Sequence, residues 1–201
     1  MRIGIFGGSF NPPHIGHLRL AQAAYEGGAL DRVIFIPCGN PPHKDGSDFA
    51  DAEDRLEMTR LLTDGDARFS VCDIELKSAD KSYTATTLEK LRAMHPDWEL
   101  CFIVGEDSLR DMKDWHMPKR IFARAEIIAA VRGGLDHSNF MRCAELYRQK
   151  YGAVIRTVEM TETDVSASRI RQLIKNGGDT RYMLTDKVAE YIKEKGIYRE
   201  I

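Results

Sequence analysis

Strong net charge of either sign is missing from this sequence: 29 Lys and Arg stand against 31 Asp and Glu in 201 residues, a formal charge of −2. Such a chain has no global field to draw in a polyanion such as DNA, so any phosphate it binds must be met by local groups. Long apolar runs are missing too. The longest aliphatic stretches, such as Ile127 to Val131, fall far short of the roughly 20 residues that cross a bilayer. The opening Met1-Arg2-Ile3-Gly4-Ile5-Phe6-Gly7-Gly8 lacks the apolar length of a signal peptide. Cysteine is sparse, at positions 38, 72, 101 and 143, and no Cys-x-x-Cys pair stands ready to hold a metal or exchange disulfides. Cys72 and Cys101 lie inside apolar runs and read as small buried hydrophobes, while Cys38 ends another run, where it could sit at the mouth of a site. These absences lead to the expectation of a cytoplasmic protein, in a reducing compartment, with neither membrane nor nucleic acid polymer as partner. No Pro/Ser linker, low-complexity tract or internal repeat interrupts the chain, so residues 1–201 read as one domain.

What the sequence does have is alternation. Arg2–Phe6, Arg32–Pro37, Arg68–Leu76, Glu99–Val104, Glu126–Val131 and Ala153–Val158 are short apolar runs rather than strictly alternating ones. That pattern suits strands covered on both faces, as in a parallel sheet. Between them lie helical patterns: Ile15, Leu18, Ala21 and Tyr25 at spacings of three to four, then Glu53–Leu62, Thr86–Met94 and Ser138–Tyr151. The tail adds Ala167–Lys175 and Asp186–Lys195, making 161–201 a helical C-terminal part. Strand–helix alternation of this kind predicts right-handed βαβ units and a doubly wound, mainly parallel α/β sheet with helices on both faces. Ligands then bind beyond the carboxyl ends of the strands.

The first strand ends in Gly7-Gly8-Ser9-Phe10-Asn11-Pro12-Pro13-His14-Ile15-Gly16-His17. Two glycines let the backbone turn sharply and approach a ligand without a Cβ between. Pro12 and Pro13 are poor in a helix interior, so a helix is expected to begin near His14 or Ile15. His14 and His17 then stand three apart at its start, where unpaired N–H groups and the helix dipole favour an anion. The turn holds no Gly-x-Gly-x-x-Gly and no Gly-Lys-Ser/Thr, so it is neither a dinucleotide fingerprint nor a Walker loop. Two histidines are also half a zinc site, but no third ligand stands at helical spacing, so phosphate contact is preferred and no protein metal ligand is assigned.

This segment, with His14-Ile15-Gly16-His17 read literally, resembles the His-x-Gly-His phosphate-binding motif of the nucleotidyltransferase superfamily, shared with class I aminoacyl-tRNA synthetases. A synthetase would be much longer and carry a Lys-Met-Ser-Lys-Ser-type loop. The resemblance therefore implies a Rossmann-like nucleotidyltransferase fold and a small adenylyl- or cytidylyltransferase. Val165-Ser166-Ala167-Ser168-Arg169-Ile170-Arg171 resembles the superfamily's second motif, Ile-Ser-Ser-Thr-x-Ile-Arg, with Ala167 for a second serine and Ser168 for threonine. Ser166 can cap a helix beginning at Ala167, and Ser168 and Arg171 share one face of it, suited to the outer phosphates of a triphosphate. The expectation is a cationic, amide-rich pocket formed where residues near both ends of the polypeptide meet.

Three further segments narrow the resemblance. Cys38-Gly39-Asn40-Pro41-Pro42-His43-Lys44, Ser82-Tyr83-Thr84-Ala85-Thr86-Thr87-Leu88 and Gly105-Glu106-Asp107-Ser108-Leu109 with the later Trp115 are similar to segments of the bacterial nicotinate-nucleotide adenylyltransferase family. Thr86 departs from the Asp often found there and is given no role. A flat, electron-poor pyridine can stack on Trp115, and the backbone N–H groups at Tyr83 and Thr84 suit a nicotinate carboxylate. An amide would need an acceptor instead. Asp107 suits paired ribose hydroxyls, which the resemblance makes those of adenosine.

By that resemblance, Gly7, Gly8, Ser9, Phe10, His17, Lys44, Gly105, Asp107, Ser168 and Arg171 meet ATP, while Asn40, His43, Lys44, Tyr83, Thr84 and Trp115 meet a pyridine mononucleotide. His14, His17, Ser168 and Arg171 form the catalytic set. The implied reaction is direct attack by the 5′-phosphate of nicotinate mononucleotide on the α-phosphorus of ATP, catalysed by positioning and charge neutralisation. Mg²⁺ is expected to arrive with ATP. The alternatives are nicotinamide mononucleotide or another phosphorylated acceptor such as phosphopantetheine, or a non-catalytic nucleotide-binding module. Assembly is left open, a homo-oligomer included.

Overall fold

The computed structural model describes residues 1–40, 49–78, 81–132, 137–161 and 164–199. The apolar runs become strands β1 (Arg2–Gly8), β2 (Arg32–Pro37), β3 (Phe69–Val71), β4 (Glu99–Gly105), β5 (Glu126–Arg132) and β6 (Ile155–Met160). They form one six-stranded parallel sheet in the order β3-β2-β1-β4-β5-β6. The amphipathic stretches become α1 (Ile15–Gly27), α2 (Ala52–Thr63), α3 (Thr84–Met94), α6 (Ser138–Tyr151), α7 (Ala167–Lys175) and α8 (Asp186–Lys195). The doubly wound α/β expectation holds, and no helix among the described residues is long and apolar enough to cross a membrane.

Three expectations change. Two short helices, α4 (Glu106–Asp111) and α5 (Pro118–Arg124), stand where the periodicity predicts none, because neither is long enough to display a periodic face. The third strand stops at Val71 instead of Leu76. Asp73–Lys77 pair as i, i+4 at 2.9 Å and the Lys77 N–H reaches the Asp73 carbonyl at 3.2 Å, so this charged stretch curls into a turn. Cys72 is consequently only half-buried, whereas Cys101 is fully buried.

Contacts group the residues into two units. The first comprises Met1–Gly7, Leu20–Ile34 and Tyr83–Glu162. There β1 pairs with β4, β4 with β5 and β5 with β6, all parallel, with Ile5 beside Phe102 and Phe102 beside Ile127. Ile3, Ile5, Phe102, Ile103, Ile127 and Ile128 are buried, which is why these runs need no polar alternation. At the amino ends of the strands Arg2 pairs with Glu99 and Glu126, and Arg156 with Glu126.

The second unit comprises Gly8–Arg19, Phe35–Ser82 and Thr163–Ile201. In it α8 lies on α2, with Val188, Ile192, Leu56 and Leu62 buried. The Tyr191 hydroxyl donates to Asp54 Oδ1 at 2.8 Å, and Lys187 pairs with Asp64.

Candidate active site

The chain leaves β1 through Gly8, whose carbonyl accepts from the Cys38 N–H at 2.9 Å. A Cβ at Gly8 would stand 3.0 Å from the Phe10 ring, so a side chain here would need that ring to give way by a few tenths of an ångström. Phe10 adopts φ 46° and is 1% exposed, packing 5.0 Å from the His17 ring and 5.7 Å from Phe35. Any part Phe10 takes in nucleotide binding thus falls to its backbone.

At the start of α1 the His14 N–H donates to His17 Nδ1 at 3.1 Å, the Ile15 N–H to the Met183 carbonyl at 3.0 Å, and the His17 N–H to the His14 carbonyl at 2.9 Å. Three amides expected to face an anion are therefore engaged within the protein. Because His17 Nδ1 accepts, its proton sits on Nε2. The two imidazoles lie 3.8 Å apart. Burial lowers His14 to about 4. Burial, and then the neighbouring His14, lower His17 well below its ordinary value. Both shifts favour the neutral imidazoles near pH 7, so the pair offers hydrogen bonds while Arg171 carries a fixed charge.

Ser166 caps α7 as the sequence predicts, its side chain accepting from the Arg169 N–H at 3.3 Å. Ser168, exposed, and Arg171 follow on that helix. Arg171 Nη1 donates to the Asn11 carbonyl at 2.8 Å, joining positions 160 residues apart. His14 Nδ1 and Arg171 Nε are buried with no hydrogen-bond partner among the described residues. Buried polar atoms are nearly always satisfied, so both are candidates for contact with a ligand.

Asn11 organises the turn. It is 2% exposed, and its Oδ1 accepts from the Tyr198 hydroxyl at 2.7 Å and the Ala50 N–H at 3.0 Å. Burial pushes the Tyr198 hydroxyl up, keeping it a donor. Sequence reasoning gives Asn11 no role within the motif and misses Tyr198 and Arg55. Arg55 had a signal: it shares the buried stripe of α2 with Thr59 and Leu62, and a charge on a core-facing stripe needs a reason.

After β2, Gly39 and Asn40 donate their N–H groups to Ser82 Oγ at 3.0 and 3.2 Å, and the Asn40 carbonyl accepts from the Ser82 N–H at 2.9 Å. Asn40 itself is exposed. His43 and Lys44 lie outside the described residues.

The remaining predicted residues belong to the first unit. Gly7 is in β1 and Gly105 ends β4. Asp107, in the first turn of α4, is exposed and paired with Arg110. Tyr83 precedes α3 and Thr84 opens it; the Tyr83 ring stacks on His116 at 4.1 Å, a partner the sequence did not announce. Trp115 is half-buried, edge to face with Phe102 at 6.1 Å.

Among the described residues, Glu99, Cys101 and Glu126 are close enough together to hold a metal ion. Arg2 and Arg156 already neutralise those carboxylates, and burial pushes the Cys101 thiol up to about 11, so the donor set does not suit a cation.

A parallel α/β sheet of the Rossmann-like class, followed at its first strand by an imidazole pair and a guanidinium, defines the class of protein. The cytidylyltransferase-like family model matches residues 5–173, and the chain belongs to that family. A relative from Lachnoclostridium phytofermentans, named a probable nicotinate-nucleotide adenylyltransferase, is 36% identical, the match covering 98% of each chain. One of the same name from Caldicellulosiruptor bescii is 37% identical over 99% of this chain and all of its own. Among solved structures, the nicotinic acid mononucleotide adenylyltransferase of Plasmodium falciparum complexed with NaAD superposes with TM-score 0.79 over 98% of this chain and 97% of that one, at 16% identity. That likeness is one of fold.

Proposed function

We propose that the protein transfers the AMP of ATP to nicotinate mononucleotide, giving nicotinate adenine dinucleotide and pyrophosphate. The observation that carries this reading is the Arg171 guanidinium on the Asn11 carbonyl, in the turn that leads to His14 and His17. The name carried by its full-length bacterial relatives supports the choice of acceptor. On this reading residues 1–201 act as one nucleotidyltransferase domain, with 161–201 its helical C-terminal part.

The acceptor phosphate is already ionised near pH 7, so no side chain need serve as nucleophile. His17 Nε2–H and the His14 ring meet the α-phosphate as charge builds on it, while Ser168 and Arg171 hold the departing pyrophosphate. Gly7, Gly8, Ser9 and the Phe10 backbone line the triphosphate, and Lys44 adds charge. Gly105 and Asp107 receive the adenosine; Asn40, His43, Tyr83, Thr84 and Trp115 receive the pyridine nucleotide. The divalent ion, Mg²⁺, is part of the ATP substrate.

The test is pyrophosphate release from ATP with nicotinate mononucleotide, nicotinamide mononucleotide and phosphopantetheine in turn. The highest kcat/KM is expected with the nicotinate form. Turnover with phosphopantetheine alone overturns the acceptor assignment, and ATP binding without turnover on any of the three overturns catalysis.

A further inference from the structure

Arg55 is 1% exposed, yet it makes no ion pair among the described residues. Its guanidinium is held by backbone oxygen: Nε donates to the Ala50 carbonyl at 3.0 Å, Nη1 to the Ser9 carbonyl at 2.9 Å and Nη2 to the Gly39 carbonyl at 3.4 Å. Nη1 also lies 3.4 Å from Cys38 Sγ, and the group covers the Phe49 ring at 4.5 Å. The planar fork thereby ties together the turn after β1, the loop after β2 and the approach to α2. A buried cation is costly unless an anion compensates it, and carbonyl dipoles are a partial substitute. The neutral His14 and His17 do not supply the charge that a triphosphate needs.

We infer that Arg55 is a positioning residue for the nucleotide's phosphates: a buried positive charge, fastened to the Ser9 carbonyl of the phosphate turn and without an ion pair among the described residues, whose counter-charge arrives with the substrate. This rests on the nucleotidyl-transfer reading of the same turn. The Ser9 carbonyl points at Arg55, so in a trans peptide the Phe10 N–H points the opposite way. The cation also polarises that peptide, making its N–H a stronger donor. Tyr198 and Ala50 hold Asn11 two residues further on, so the turn is fixed from both sides before substrate arrives.

Two variants separate charge from stapling. Arg55→Gln keeps a donor and loses the charge; Arg55→Lys keeps the charge and loses the fork. With magnesium pyrophosphate as probe, calorimetry on protein shown folded by near-UV circular dichroism is expected to give a Kd raised about tenfold or more in the Gln variant, with KM for ATP rising in step. The Lys variant is expected to stay within about threefold of wild type, and KM for nicotinate mononucleotide within about twofold in both. Equal pyrophosphate Kd in wild type and the Gln variant, or equal losses in Gln and Lys, overturns the inference and leaves Arg55 a structural staple. A folded wild type that binds no pyrophosphate overturns the nucleotidyl-transfer reading instead. A measurement free of variant folding is the guanidinium ¹⁵N spectrum of wild type: the Arg55 Nε resonance is expected to shift on pyrophosphate addition, and an unmoved resonance under saturation overturns the proposal.

Discussion

The backbone N–H of His14 donates to Nδ1 of His17 at 3.1 Å, so the first histidine of the motif sets the tautomer of the second. On the proposed reaction, the proton this places on His17 Nε2 is the one offered to the α-phosphate. His17→Ala removes that donor, and loss of one transition-state donor costs on the order of 100-fold or more in kcat. Gln, whose amide nitrogen reaches about as far as Nε2, is expected to recover part of the loss, and Asn none. Steady-state pyrophosphate release on folded variants checks this; unchanged kcat in His17→Ala removes His17 from the catalytic set.

Holding His14 neutral has a pH signature. Folded His14 titrates near 4 because it is buried, against 6.5 for the exposed side chain. Between those values the unfolded chain binds a proton that the folded one refuses, so stability is fully present above about pH 6.5 and declines as pH falls towards 4. The shift corresponds to roughly 3 kcal/mol, with His17 adding in the same direction. Urea midpoints at pH 7.5 and 4.5 should fall more in wild type than in His14→Gln; equal falls in the two would mean His14 does not set the dependence.

Much of this could be read in the sequence because the informative residues are contiguous. Ile3, Phe102 and Ile127 are buried on strands covered from both sides, and such strands write themselves as unbroken apolar runs. The His-x-Gly-His turn and the Ser166 cap are likewise local. The short α4 and α5 left subtler marks: Glu106 and Asp107 in a first turn and Pro118 at a helix start, where each is favoured. What no local pattern encodes is closure between distant positions. Arg171 meets Asn11 across 160 residues and Tyr198 meets it across 187. The neutrality of the imidazoles follows from burial that only the folded chain creates.

The Tyr198 hydroxyl bond to Asn11 gives a third prediction. Tyr198→Phe removes one donor but leaves Asn11 Oδ1 its bond from the Ala50 N–H, so no acceptor is orphaned. The expected loss is about 1 kcal/mol, or a fall in Tm of roughly 2–4 °C for a chain of this length. If the hydroxyl also keeps the phosphate turn in register, kcat falls by a few-fold while KM for nicotinate mononucleotide stays put. Loss of Tm with full kcat assigns Tyr198 to stability alone.

Trp115 tests the acceptor side. Its ring is half-buried and meets Phe102 edge to face at 6.1 Å, a contact that orients the indole without burying it. Stacking a pyridine on such a ring contributes about 1 kcal/mol beyond the area it covers. Trp115→Ala is therefore expected to raise KM for nicotinate mononucleotide about tenfold, while KM for ATP moves by less than about twofold. Trp115→Phe keeps an aromatic face and is expected to fall between. The Ala variant also loses the Phe102 contact, so its Tm drops, and the two effects are told apart because a purely structural loss moves both KM values together. Equal rises in the two would take Trp115 out of the acceptor site and return it to the packing around Phe102.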